Sequence, residues 1–90
     1  MKTIMDPSAV RRFAGFLTEA ASDLRTRNSA LSHRFVDLRA TWGDHKYGEF
    51  ERLFNESSAT LQKFLAHSDK YAEYLRKKAS IVERYLDRRY

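Results

Sequence analysis

Three histidines (His33, His45 and His67), two adjacent serines (Ser57 and Ser58) and scattered carboxylates are the groups through which this sequence could do chemistry. His33 with Asp37, and His45 with Glu49, have the four-residue spacing that puts two metal ligands on one helix face. A zinc centre needs three or four converging ligands, and the remainder could come only from across a dimer. Solvated helix positions are the better reading. With no cysteine, the chain has no thiolate metal site, no disulfide framework and no thiol nucleophile. Ser57 and Ser58 fall in a helical pattern rather than on a strained elbow, and no histidine lies at a relay spacing. No glycine-rich phosphate loop is present. Asp23/Arg27 and Glu49/Arg52 alternate in sign at helix spacing, which reads as solvent-side pairing worth about 0.2–0.5 kcal/mol each. No catalytic residue, cofactor or metal site is expected, and the chain reads as non-enzymatic.

One concentration of charge stands out. Between residues 70 and 90, Lys70, Arg76, Lys77, Lys78, Arg84, Arg88 and Arg89 face only Glu73, Glu83 and Asp87. Tyr71, Tyr74, Tyr85 and Tyr90 interleave with them. Cations beside aromatics could meet phosphates and stack on bases. They also complement the macrodipole at a helix C-terminus, and no recognition-helix motif accompanies them. A small nucleic-acid binder is therefore the last of three readings, behind an acidic protein partner. The overall formal charge of +5 is mixed in sign along the chain and suits a solvated helix surface.

The elements that must position these groups follow from punctuation and period. Ninety residues support one domain, and three Gly with one Pro cannot supply the turns of a sandwich or barrel. Asp6-Pro7 reads as a helix start, with Asp6 as N-cap. Trp42-Gly43-Asp44 is the one convincing break, where Gly43 can adopt the left-handed conformation and Asp44 can cap the next helix. Gly15 and Gly48, inside helical patterns, suggest close approach of a neighbour, or a frayed first turn for Gly48. The first helix is expected over about 7–41, the turn over 42–44, and the second helix over about 45–88.

Heptad rows run through both. Val10, Leu17, Leu24, Leu31 and Leu38 form one, and Ala14, Ala21, Asn28, Phe35 and Trp42 its companion, with a polar lapse at Asn28. Phe13 and Phe16 widen the stripe, and the small Ala14, Gly15, Ala20 and Ala21 invite a close neighbour. In the second helix, Tyr47, Phe54, Leu61, Ser68, Leu75 and Val82 form a row whose partner is Phe50, Ser57, Phe64, Tyr71, Lys78 and Tyr85. A third row holds Leu65, Ala72, Ala79 and Leu86, with Leu53 nearby. The expected hairpin and dimer core is Leu17, Leu24, Leu31, Phe35, Leu38, Phe50, Phe54, Leu61, Phe64 and Leu75.

A short break folds two rods back as an antiparallel all-α hairpin, and the apolar arcs are wider than one partner covers. A dimer of hairpins, making a four-helix bundle, is the economical solution. No run approaches the ~18 apolar residues of a membrane span. The N-terminus, Met1 to Pro7, lacks the apolar core of a signal peptide.

A hairpin of this length with Trp42 and Gly43 in its turn resembles the Trp-x-Gly (WXG) family, early-secreted-antigen-like proteins exported by type VII secretion systems. Here the turn is Trp42-Gly43-Asp44, with the glycine one place early. The resemblance implies a small protein secreted without a cleaved signal peptide (cytoplasmic before export). It further implies a homodimer or heterodimer with a similar hairpin, and Trp42 lining a groove where a secretion ATPase docks. Packing of Trp42 on Tyr47 or Phe50 is the alternative, compatible reading. The family's Tyr-x-x-x-Asp/Glu export signal lies near the C-terminus, whereas here Tyr47 and Glu51 carry that spacing at the start of the second helix. Many members of the family lean on a partner that carries the signal, so the resemblance does not imply export of this chain on its own. A cytoplasmic coiled-coil adaptor or chaperone-like protein is the runner-up function.

Overall fold

The computed structural model describes residues 5–88. Asp6 caps the first helix as its residue type foretells, its carboxylate accepting from the backbone N–H of Ser8 at 3.0 Å and of Ala9 at 3.4 Å. Helix α1 spans Pro7–Arg39 and helix α2 spans His45–Arg88. The two fold back on each other as an antiparallel hairpin, a rod of 69 × 16 × 16 Å. The expected all-α hairpin is what the chain forms. Arg89 and Tyr90 of the basic cluster, and Met1 to Ile4, lie outside the described residues.

The turn departs from expectation in two ways. Helix α1 stops at Arg39, two residues before the expected Thr41. Its last carbonyls are taken by tighter local bonds: Ala40 N–H to Asp37 O at 3.2 Å, and Thr41 N–H to Leu38 O at 3.0 Å. The Thr41 hydroxyl also donates to Leu38 O. Gly43 does not take the left-handed conformation, since no described glycine has positive φ. A five-residue connection, Ala40 to Asp44, reverses the chain without needing one. Gly15 and Gly48 likewise have no close neighbour, because a Cβ added at either would meet nothing within 4 Å.

The packed seam is narrower than the apolar patterning implies. Ala14, Ala21, Ala72 and Ala79 are buried to 2% exposure or less, and among the described residues Leu65 is the one large side chain buried as deeply. Alanines at seven-residue steps let the two backbones approach closely through the distal half of the rod. Near the turn the seam is aromatic. Phe35 stacks on Phe54 with centroids 4.7 Å apart and meets Phe50 edge-on at 5.2 Å.

Of the expected core set, Leu17, Phe35, Phe54, Leu61 and Leu75 are half-buried. Leu24, Leu31, Leu38, Phe50 and Phe64 remain exposed in the hairpin, Phe64 at 58%. The second helix therefore turns a different pair of rows inward than size alone suggests. The Tyr47 row pairs with Leu65, Ala72 and Ala79, while the Phe50/Phe64/Tyr71 row points away. Exposed surface totals 7489 Å². A compact monomer of this mass exposes about 5,500 Å², so the hairpin alone under-buries by roughly 2,000 Å².

Candidate interaction site

Three features of the hairpin could recognise a partner: its closed end, and the two long flanks on either side of the seam.

At the closed end, Asp44 caps α2 as expected, accepting from the Tyr47 N–H at 3.1 Å. Its carboxyl lies below the usual carboxylate range, first through the neighbouring Trp42 side chain, then through the amides of Tyr47 and Lys46. Of these donors, the Tyr47 amide is the one in ordinary hydrogen-bond geometry. Trp42 is half-buried and packs edge-on against the Tyr47 ring at 5.5 Å. This is the end-closing contact on Tyr47, and it leaves part of the indole open to solvent.

Tyr47 is the anchor of this end, at 4% exposure. Its hydroxyl lies 2.7 Å from the Phe35 carbonyl of α1 and 3.0 Å from the Glu51 carboxylate, so its single proton serves one of two acceptors. Arg39 pairs with Glu51, and its guanidinium lies 5.9 Å from the Tyr47 ring centroid. Glu51 is held below the usual carboxylate range by Arg39 and then by the Tyr47 hydroxyl. Burial, followed by the Glu51 carboxylate, pushes the Tyr47 phenol up. The role of Tyr47 as a tie between the helices is not visible in its row alone, because its partner carbonyl belongs to a residue twelve positions earlier.

One flank is polar and internally paired. Arg11 of α1 forks onto Glu83 of α2, with Nη2 at 2.7 Å, and also reaches Ser80. Arg76 donates to the Thr18 hydroxyl at 2.9 Å, and Thr18 in turn donates to Ala14 O. Arg25 and Asp69 pair at 2.5 Å. Glu83 is held low by Arg11. Asn28, the polar lapse in the α1 row, donates to Ser58 Oγ at 2.8 Å. Beside it lies an open groove of about 580 Å³, lined by Arg25, Asn28, Ser32, His33, Ser58 and Gln62 among others.

The opposite flank is apolar and unpaired. The cross-helix bonds place Arg11, Thr18 and Arg25 of α1 beside Asp69, Arg76 and Glu83 of α2. Helical geometry then puts the leucine row of α1 and the Phe50/Phe64/Tyr71/Tyr85 row of α2 together on the other side. Leu24, Leu31, Leu38, Phe50, Phe64, Tyr71 and Tyr85 are between 39% and 62% exposed along it. Leu53, Tyr74 and Ile81 extend it outward, each exposed by half or more. Such a contiguous stripe exceeds what monomers usually leave to water.

The histidines do not converge. His45 sits 3.2 Å from Glu49, which also meets Lys46 and is not paired with Arg52 as its spacing suggested. The Asp23/Arg27 pair forms at 3.0 Å. Among the described residues no three metal-ligating side chains gather, and no helix is long and apolar enough to cross a membrane.

Fold and flanks together define the class: an elongated helical hairpin, polar and self-paired along one side, apolar and open along the other. No protein-family profile and no curated protein sequence matches the chain.

Proposed function

We propose that the chain is a non-enzymatic interaction protein that completes a four-helix bundle with a similar hairpin through its apolar flank. In this reading it serves as a substrate, or substrate partner, of a type VII-like secretion system, as its resemblance to Trp-x-Gly proteins implies. The observation that carries the bundle is the unpaired stripe from Leu24 and Leu38 to Phe64 and Tyr85, opposite a flank already satisfied by ion pairs.

The secretion half of the reading rests on the resemblance, the hairpin length and the half-open Trp42 at the turn. Tyr47 and Glu51, the pair with export-signal spacing, are engaged with each other and with Phe35 and Arg39. That engagement supports travel with a partner carrying its own signal. The partly open face of Trp42 is then the place where a secretion ATPase would meet the bundle.

The test is to follow the protein in culture supernatant and cytosol of its native host, with and without the secretion ATPase. ATPase-dependent appearance outside the cell is the expected result. Retention in the cytosol in a stable complex overturns the secretion reading in favour of a coiled-coil adaptor.

A further inference from the structure

The exposed stripe of α2 reads almost the same from either end, and we propose that its occupant is a second copy of this chain, docked antiparallel with α2 against α2. This rests on the reading of the apolar flank as a bundle interface, and narrows the partner from any similar hairpin to an identical one in a defined register.

An isologous contact obliges residue i to meet j while j meets i, so a self-docking helix must be complementary to its own reverse. The row Phe50, Ser57, Phe64, Tyr71, Lys78, Tyr85 meets that condition: aromatic, polar, aromatic, aromatic, polar, aromatic. Reversed on itself, it sets Phe50 against the partner copy's position 85, Phe64 against position 71 and Ser57 against position 78, so that aromatic meets aromatic and polar meets polar. The neighbouring row centres on His67 and sets Leu53 opposite position 81, an isoleucine. All four aromatics of the first row, with Leu53 and Ile81, are more than half exposed in the hairpin.

The charged edge of the stripe obeys the same centre. At seven-residue steps run Glu49, Glu56, Lys63, Lys70, Lys77 and Arg84, every one exposed. Antiparallel pairing about the midpoint brings Glu49 to position 84 and Glu56 to position 77, acid to base at both ends of the interface. Only the central Lys63 and Lys70 meet like charge. A parallel α2–α2 contact would carry this row away from its own copy, so the acid-to-base pairing exists only in the antiparallel arrangement. The three rows have their centres within one residue of each other and of the midpoint of α2, between Ala66 and His67.

The first helix agrees. Its leucine row, Val10 to Leu38, is centred on Leu24. The Arg25–Asp69 pair sets Leu24 level with Lys70, within about one helical turn of His67. A two-fold axis passing between these heights brings the leucine row of α1 near its own copy, with Leu17 toward position 31. A strip as long as α2 and one helix wide covers about 800 Å² per copy, the size of a standard stable interface.

The register is tested on the full chain, which has no native cysteine. In sedimentation at micromolar concentration, a mass twice 10.6 kDa is expected. His67→Cys alone should form a disulfide-linked dimer under mild oxidation, because that position faces its own copy. Phe50→Cys alone should not, but should cross-link when mixed with Tyr85→Cys. The double variant Glu49→Lys/Glu56→Lys should weaken self-association about tenfold or more at low salt. Adding Lys77→Glu/Arg84→Glu in the same chain should restore it. A folded monomer at these concentrations, or disulfide formation by Phe50→Cys on its own, overturns the proposal. If the chain instead forms a bundle only with another host protein, the second copy is excluded while the interface reading stands.

Discussion

The two long flanks of the hairpin are built from the same pair of helices and are left in opposite states. On one, every prominent charge of the seam has a partner within the chain: Arg11 with Glu83, Arg25 with Asp69, Arg76 with Thr18. On the other, large side chains from Leu24 to Tyr85 are left 39–62% exposed, and near the turn Phe50 meets Phe35. Exposed ion pairs contribute little free energy each, typically about 0–1 kcal/mol, but they select one height of α1 against α2. Apolar area contributes far more, and here it is withheld from the hairpin. The polar flank sets register within the hairpin, and in the proposed bundle the apolar flank supplies the driving force for association.

The largest effect is expected from charging the open flank. Phe64→Glu with Tyr71→Glu should weaken self-association by about 100-fold or more while leaving helix content intact, as read by sedimentation and circular dichroism. Next comes the seam. Leu65→Ala should cost about 2–5 kcal/mol, and Ala72→Leu about 1–3 kcal/mol by overpacking, each seen as a lowered melting temperature. Survival of both without loss would mean that the close seam is not what holds the helices together.

The closed end and the Arg11–Glu83 pair at the far end of the rod should show themselves in pH. Asp44, Glu51 and Glu83 all lie below the usual carboxylate range in the folded chain. The stability they lend is present above the ordinary carboxylate pKa and is lost as pH falls through their depressed values. Tyr47 is raised, so its neutral form favours folding below the ordinary phenol range, and that advantage goes as pH rises through the raised value. Melting temperature should therefore fall at both extremes. Tyr47→Phe should remove the alkaline limb, and Glu51→Gln with Glu83→Gln should flatten the acid limb. The smallest effect belongs to the paired flank. Arg25→Ser with Asp69→Ser should shift melting by about 2 °C or less, because both side chains are close to half exposed.

The hairpin itself is legible from the sequence because caps and heptads are local. Asp6 and Asp44 are where their chemistry predicts, and two long uninterrupted rows need only one break. Which rows face inward is not local. The Phe50/Phe64 row and the Leu65/Ala72/Ala79 row lie close around the same helix, and side-chain size favours the aromatics. The seam takes the alanines instead, because close backbone approach excludes bulky rings along most of its length. Gly43 misleads for a related reason: a five-residue turn closed by bonds to Leu38 and Asp37 needs no left-handed residue. The ties from Tyr47 to Phe35 and from Arg11 to Glu83 depend on register across the hairpin, which residue spacing along one helix does not encode.

The central claim is that one flank is an interface and the other is complete. Its most direct test is the solution mass of the full chain by light scattering across micromolar concentrations, for three proteins side by side. The native chain should have twice its own mass, Arg25→Ser/Asp69→Ser should match it, and Phe64→Glu/Tyr71→Glu should fall to a helical monomer. A native chain that stays a stable, folded monomer throughout, with its apolar flank open to water, would contradict the account.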